Sequence, residues 1–342
     1  MHLLKIFYYV FLNFNLLFCR RPYFSKREKF NSEKAKWLYL LSYFSSHYIS
    51  AKCITRLIPT FKNYYLLRHH TIPCDDTRSK CTYTVFVSSK NESIIVILSS
   101  DHSFARIMSA ITSKSQNFYT FEGLGFVNRN FANSFYKIWP FLHTIFSEPK
   151  LFRYKVTIVG YSFGGALATL AAIKLRSAHY GIGLDISLYT YGAPRVGNPD
   201  FVQKFDEKLP NSFRVVVDKD PVPHFPKCSL VMSKYIKFSP RLTSKICNIK
   251  NRLSYYHVGT EVWYPKGTHN LNNYHLCLGK PKNEYRKCSN MYPFYKTSFN
   301  QYKFFHNIYY NDVIQTCKNI LMPIFYNNCR IVDNHWDKQK NS

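Results

Sequence analysis

The apolar positions of this chain change period several times, and each change marks an element. Two runs rich in β-branched and aromatic residues, Tyr83 to Val87 and Ser93 to Ser99, flank the polar tetrapeptide SKNE and read as a strand pair with that turn. From Phe126 to Phe146 aromatic residues recur at helical spacing, bounded by Glu148-Pro149. A short continuous run, Val156 to Val159, predicts a buried strand, and Gly164 to about Arg176 predicts a helix. Asp185 to Tyr191 and Phe213 to Val217 read as further strands, and Lys36 to Thr55 as an opening helix. Strands alternating with helices predict an α/β protein with a mostly parallel central sheet and helices on both faces. Phe104, Ile107, Met108 and Ile111 fall at i, i+3, i+4 and i+7, the single apolar stripe of an amphipathic helix. With neither an internal repeat nor a linker, one domain is expected from about residue 37 to 315. A basic arm over 20–36 precedes it, and a cysteine-containing tail over 316–342 follows.

The first eighteen residues, MHLLKIFYYVFLNFNLLF, have the form of a signal peptide ending near residue 19. Lys5 gives the positive start, and the apolar run after it is short for a membrane span. Ten cysteines agree with secretion, for Cys74 and Cys81, Cys228 and Cys247, Cys277 and Cys288, and Cys317 and Cys329 fall as neighbours suited to local disulfide loops. Spacing alone does not set the connectivity. No C-x-x-C or histidine-rich spacing points to a metal. The formal net charge of +28 biases the chain toward anionic surfaces, but the basic residues are scattered, which disfavours a nucleic-acid-binding arm.

The stretch VTIVGYSFGGALATLAA, Val156 to Ala172, carries the candidate chemistry. Gly160-Tyr161-Ser162-Phe163-Gly164 fits the G-x-S-x-G turn that lifts a nucleophilic serine between a strand and a helix. Side chains two positions either side would crowd such a turn, so glycines stand there. The helix N-terminus that follows favours developing negative charge, with the Phe163 N–H as one donor. An ordinary serine in a tight connection would need none of this setting.

GYSFGGALATLAA resembles the serine signature of the fungal-type (class 3) lipases. TYGAPRVGNPDFV, FRVVVDKDPVPHFP and YYHVGTEVWYP resemble three further blocks of that family in the same order, and CLGKPKNEYRKCSN is most similar to animal, nematode-type members. The resemblance implies an α/β-hydrolase fold, a Ser-Asp-His triad without cofactor or metal, and a lipid ester substrate at a lipid–water interface. It makes Asp220 the acid. It makes His306 the base, because FFHNIYYND follows Cys288-Ser289-Asn290 where the family has D-H-x-x-Y-F. Here Phe305 replaces the family aspartate, and His335, in VDNHWD, is the alternative base. By the same resemblance Asp101 stands where a threonine or serine gives the second oxyanion donor, and the Phe104–Ile111 stripe is the lid. Two readings follow: a secreted serine esterase cleaving acylglycerol or phospholipid, and a lipase-like surface-binding protein impaired by the altered LSSDHS segment.

Overall fold

The computed structural model describes residues 27–46, 58, 61–76, 79–112, 117–178, 185–232, 245–292, 298–311 and 314. The expected signal peptide and the tail beyond 315, with Cys317, Cys329 and His335, lie outside them. Eight strands form the central sheet: β1 (Tyr65–Pro73), β2 (Lys80–Ser88), β3 (Ser93–Ser100), β6 (Lys155–Tyr161), β7 (Ile186–Tyr191), β8 (Ser212–Val217), β11 (Thr260–Tyr264) and β12 (His275–Leu276), in the order β1-β2-β3-β6-β7-β8-β11-β12. The five strands from β3 to β11 run parallel, and antiparallel strands flank them on both sides.

The central strands read as continuous apolar runs because both faces of the sheet are covered. In β3 the alternation is plain. Ile94, Val96 and Leu98 join the core under α3 (Arg129–Phe146) and α4 (Phe163–Ser177), whereas Ile95 and Ile97 join the core on the other face. That second face is closed by α1 (Ser32–Ser46), which places Leu38, Leu41 and Phe44 there, and by Tyr309 and Tyr310 from near the end of the described chain. The remaining elements are α2 (Phe104–Thr112), the hairpin of β4 (Phe118–Phe121) and β5 (Gly125–Asn128), α5 (Pro199–Lys208), a second hairpin of β9 (Leu230–Met232) and β10 (Lys245–Cys247), and α6 (Phe299–Asn307). Among the described residues no helix is long and apolar enough to cross a membrane.

Three boundaries differ from expectation. The helix expected from Phe126 starts at Arg129, because Phe126 to Asn128 pair with β4 and the Asn128 side chain caps the helix by accepting from the Asn130 N–H. The opening helix runs from Ser32 to Ser46. The described part of the arm is packed: Phe30 is buried against Phe213 and Tyr274, and Glu28 donates its N–H to the Asn211 side chain. Three of the neighbouring cysteine pairs are disulfides, Cys74–Cys81, Cys228–Cys247 and Cys277–Cys288.

The second face is a cluster of phenols, buried apart from the half-buried Tyr161. Tyr39 lies 5.1 Å from Tyr191, 5.3 Å from Tyr310 and 5.7 Å from Tyr161, ring centre to ring centre. Burial, reinforced by neighbouring phenols, pushes Tyr161, Tyr191 and Tyr310 well above their ordinary range. A phenol whose folded value exceeds its unfolded value of about 10 stabilises the fold fully below that pH. The contribution is lost as pH rises toward the folded value. Beyond the absorbance of exposed phenols such as Tyr65, a further block of tyrosinate absorbance is therefore expected to appear together with loss of circular dichroism, in one cooperative step above about pH 10. Titration of these phenols in the still-folded protein would contradict it.

Candidate active site

Ser162 sits between the end of β6 and the start of α4, at φ 55° and ψ −124°. A non-glycine residue in that region is strained and is held by its surroundings. Here the Ser162 N–H donates to Tyr191 O at 2.8 Å. A Cβ on Gly160 would stand 2.1 Å from Gly164 O, and one on Gly164 2.3 Å from Leu98 O. The two glycines let α4 start directly against β3 and β6. The first N–H groups of α4 have no partner within the helix, and that of Phe163 follows Ser162 directly in the chain.

Asp220 follows β8 and is fully buried. Its carboxylate takes three donors: His306 Nδ1 at 3.0 Å to each oxygen, the Tyr309 hydroxyl at 2.6 Å, and the Val222 N–H at 3.0 Å. His306, in the last turn of α6, lies with Nε2 2.8 Å from Ser162 Oγ. An ionised carboxylate only accepts, so the imidazole proton belongs on Nδ1, and Nε2 offers its lone pair to the serine hydroxyl. Tyr161 stacks on the imidazole at 4.9 Å and donates its hydroxyl to His306 O at 2.6 Å. Burial, then the Asp220 charge, keeps the Tyr309 phenol well above its ordinary range, so it remains a donor. Gly192, at φ +54°, makes room for the group: a Cβ there would stand 2.6 Å from Asp220 Oδ2 and 3.0 Å from His306 Cε1.

The structure thus brings Ser162, Asp220 and His306 into one hydrogen-bonded line. Phe305 takes no part in that line; its ring lies 5.7 Å from Lys219 Nζ. Two other histidines near the acid are structural. His257 Nε2 lies 2.5 Å from Pro223 O, and His224 Nδ1 lies 2.9 Å from the Asn290 amide oxygen. Burial and the charges of Arg214 and Arg195 push His257 well below its ordinary range.

Asp101 departs from the expected role. Its N–H donates to Lys80 O at 3.0 Å, and its Oδ1 accepts the Lys80 N–H at 2.7 Å. The segment continues the β2–β3 ladder by one residue, which engages the expected donor and turns that carboxylate oxygen onto β2. In α2, Ile107 and Ile111 are buried in the core, while Phe104 and Met108 pack against it part-buried. The Phe104 ring lies 5.5 Å from the His306 ring, so the first turn of α2 stands beside the base.

Tyr309, Gly192 and Tyr161 escape a reading by motif. Tyr309 had a signal, the tyrosine three residues after the histidine, but its contact with Asp220 depends on the fold. Tyr309→Phe removes one hydrogen bond to a buried charge, worth about 1.5–3 kcal/mol. Turnover is expected to fall by roughly ten- to a hundredfold with little change in KM, read from steady-state ester hydrolysis. An unchanged kcat would show that His306 and the Val222 N–H suffice to hold Asp220.

Residues 95–230 match the family described as Lipase (class 3). A lipase of Caenorhabditis elegans is 30% identical over 263 residues, which cover 76% of this chain and 74% of that protein. The chain belongs to the class 3 lipase family. This class 3 lipase is also similar to the secreted mono- and diacylglycerol lipase 1 of Fusarium solani, 42% identical over 73 residues that cover 21% of each chain. Among solved structures, lipase II of Rhizopus niveus superposes with a TM-score of 0.54 at 25% identity, over 79% of this chain and 89% of that one. The lipase accordingly has the α/β-hydrolase fold and is a carboxylic ester hydrolase.

Proposed function

We propose that this lipase is a secreted serine hydrolase that cleaves acylglycerol or phospholipid esters through an acyl-enzyme. The observation that carries the reading is the continuous line Asp220–His306–Ser162, closed by the 2.8 Å contact between Nε2 and Oγ. Ser162 Oγ attacks the ester carbonyl carbon while its proton passes to His306 Nε2. Asp220 holds the imidazolium that results, and the Phe163 N–H faces the oxyanion. Collapse of the tetrahedral adduct expels the alcohol, which takes the proton from Nε2. Water then attacks the acyl-serine, gives its proton to Nε2, and the acid leaves as Ser162 is restored. Secretion is supported by the leader-like first residues and by three disulfides, which persist in oxidising compartments. The relative from Fusarium solani is likewise named as secreted and as acting on mono- and diacylglycerols.

A net charge of +28 favours adsorption to anionic lipid, an attraction that falls off within a Debye length. Hydrolysis is therefore expected to be faster on anionic than on zwitterionic vesicles at low salt, and the difference should vanish at high salt. The direct test is ester hydrolysis and fluorophosphonate labelling of wild type beside Ser162→Ala. A second reading, a lipase-like protein that binds lipid without turnover, draws on the engagement of the Asp101 N–H by Lys80. Folded wild type that binds vesicles but neither labels nor hydrolyses would decide for it.

A further inference from the structure

We infer that the second oxyanion donor of this lipase is the main-chain N–H of His102, held in place by an imidazole tied to Asp75 in the disulfide-closed Cys74–Cys81 loop. The inference rests on the hydrolase reading above. It starts from Asp101, whose N–H is taken by Lys80 O. The next N–H along the segment belongs to His102 and has no partner among the described residues. Its side chain is only 7% exposed and is fixed on two sides. Nε2 lies 2.8 Å from Asp75 Oδ2, and the ring stacks on Phe163 at 4.1 Å with an interplanar angle of 14°. Phe163 is the residue whose N–H forms the first half of the oxyanion site. Stacking of the two side chains therefore ties the His102 segment to Phe163.

His102 Nδ1 is buried with no hydrogen-bond partner. An orphaned buried nitrogen costs free energy, and its retention marks an atom that a polar group entering the site would satisfy. The support behind His102 is built for rigidity. Asp75 Oδ1 accepts the Ser79 N–H at 2.8 Å, Ser79 O accepts the Cys74 N–H at 2.9 Å, and the Cys74–Cys81 disulfide closes the loop. From the first turn of α2, Arg106 Nη1 donates to Ser79 Oγ at 2.8 Å. The same loop thus grips Lys80 and Asp101, His102, and the start of α2. In this lipase it does the work of holding the oxyanion segment against Phe163. His102 contributes a donor that touches the reacting atoms, and Asp75 is a positioning residue acting through it.

The test uses purified full-length wild type, His102→Ala, Asp75→Ala and Asp75→Asn, with active serines counted by fluorophosphonate burst so that rates are per reactive site. His102→Ala and Asp75→Ala are expected to lower kcat by roughly 10²–10³ with KM unchanged. Affinity for an alkyl boronic acid, whose serine adduct carries the tetrahedral oxyanion, should fall by a similar factor. Asp75→Asn still accepts from Nε2–H and is expected to restore most of both. Variants that fold, titrate fully and keep wild-type kcat and boronate affinity would overturn the assignment. A fall confined to the fraction of titratable serines, with normal kcat per site, would also overturn it and leave the Asp75–His102 pair a fold element. Wild type inert toward both probe and ester would instead sink the hydrolase reading, and this assignment with it.

Discussion

Ser162→Ala and His306→Ala are each expected to lower ester turnover by roughly 10⁶ and to abolish fluorophosphonate labelling, and the double variant should be no worse than either single one. The non-additivity follows from geometry. Nε2 and Oγ lie 2.8 Å apart and act on one proton, so removing either partner ends the step that needs both. Asp220→Asn is expected to cost about 10⁴, because an amide in place of the carboxylate disturbs the tautomer that leaves Nε2 free. The amide keeps one acceptor oxygen, so of the Tyr309 and Val222 donors only one retains its acceptor. Folding should survive in the serine variant, since alanine keeps the φ of 55° and the N–H contact to Tyr191. The decisive measurement is kcat on a soluble ester beside circular dichroism of each variant. Full labelling of His306→Ala would place the base elsewhere, and His335 would then be the residue to change.

Glu284→Ala is expected to have the largest effect on stability. Glu284 and Arg195 are 0% and 3% exposed, with Nε to Oε1 at 2.7 Å and Nη2 to Oε2 at 2.8 Å. The same carboxylate accepts the His257 N–H and the Asn290 amide, and Arg195 also donates to His224 O and Pro226 O. This pair pins the turn that follows Asp220. Removing one partner leaves a buried charge unpaired, at a cost of about 3–5 kcal/mol. In a domain of this size that lowers Tm by roughly 6–20 °C. Burial raises the Glu284 carboxyl, but the charge and hydrogen bonds of Arg195, with Arg214 and Asn290, outweigh it and hold the group below its ordinary value. A depressed folded value means stability that is present above the unfolded value and lost as pH falls through the folded one. Urea unfolding with disulfides intact should therefore show wild type losing stability in acid, and Glu284→Ala lacking that part of the loss. Equal midpoints for the two proteins at neutral pH would contradict the argument.

Among the elements, the ones legible in the sequence carry their cause locally. A Cβ on Gly160 would meet the backbone of Gly164 and Gly165 within the same turn, one on Gly164 would meet β3 at Leu98 and Ser99, and the apolar run before them needs a sheet covered on both faces. Hence the strand, the turn and the helix could be read where they lie. Phe126 to Asn128 were misread as helix because their aromatic spacing suits either state, and their strand exists only by pairing with β4. Phe30 was placed in the arm outside the domain for a similar reason: its burial depends on a sheet formed by later residues.

The sequence by itself marked the serine turn through short-range sterics, its resemblance to the class 3 lipases implied the order Ser162, Asp220, His306, and its spacing set neighbouring cysteines side by side without fixing the connectivity. Tertiary structure alone decided which groups meet across the sheet. Arg195 finds Glu284 across 89 positions, and Tyr309 finds Asp220 across 89. The β2–β3 register assigns the Asp101 N–H to Lys80. Such contacts depend on strand register and on which face a side chain takes, and a shift of one residue would reverse both.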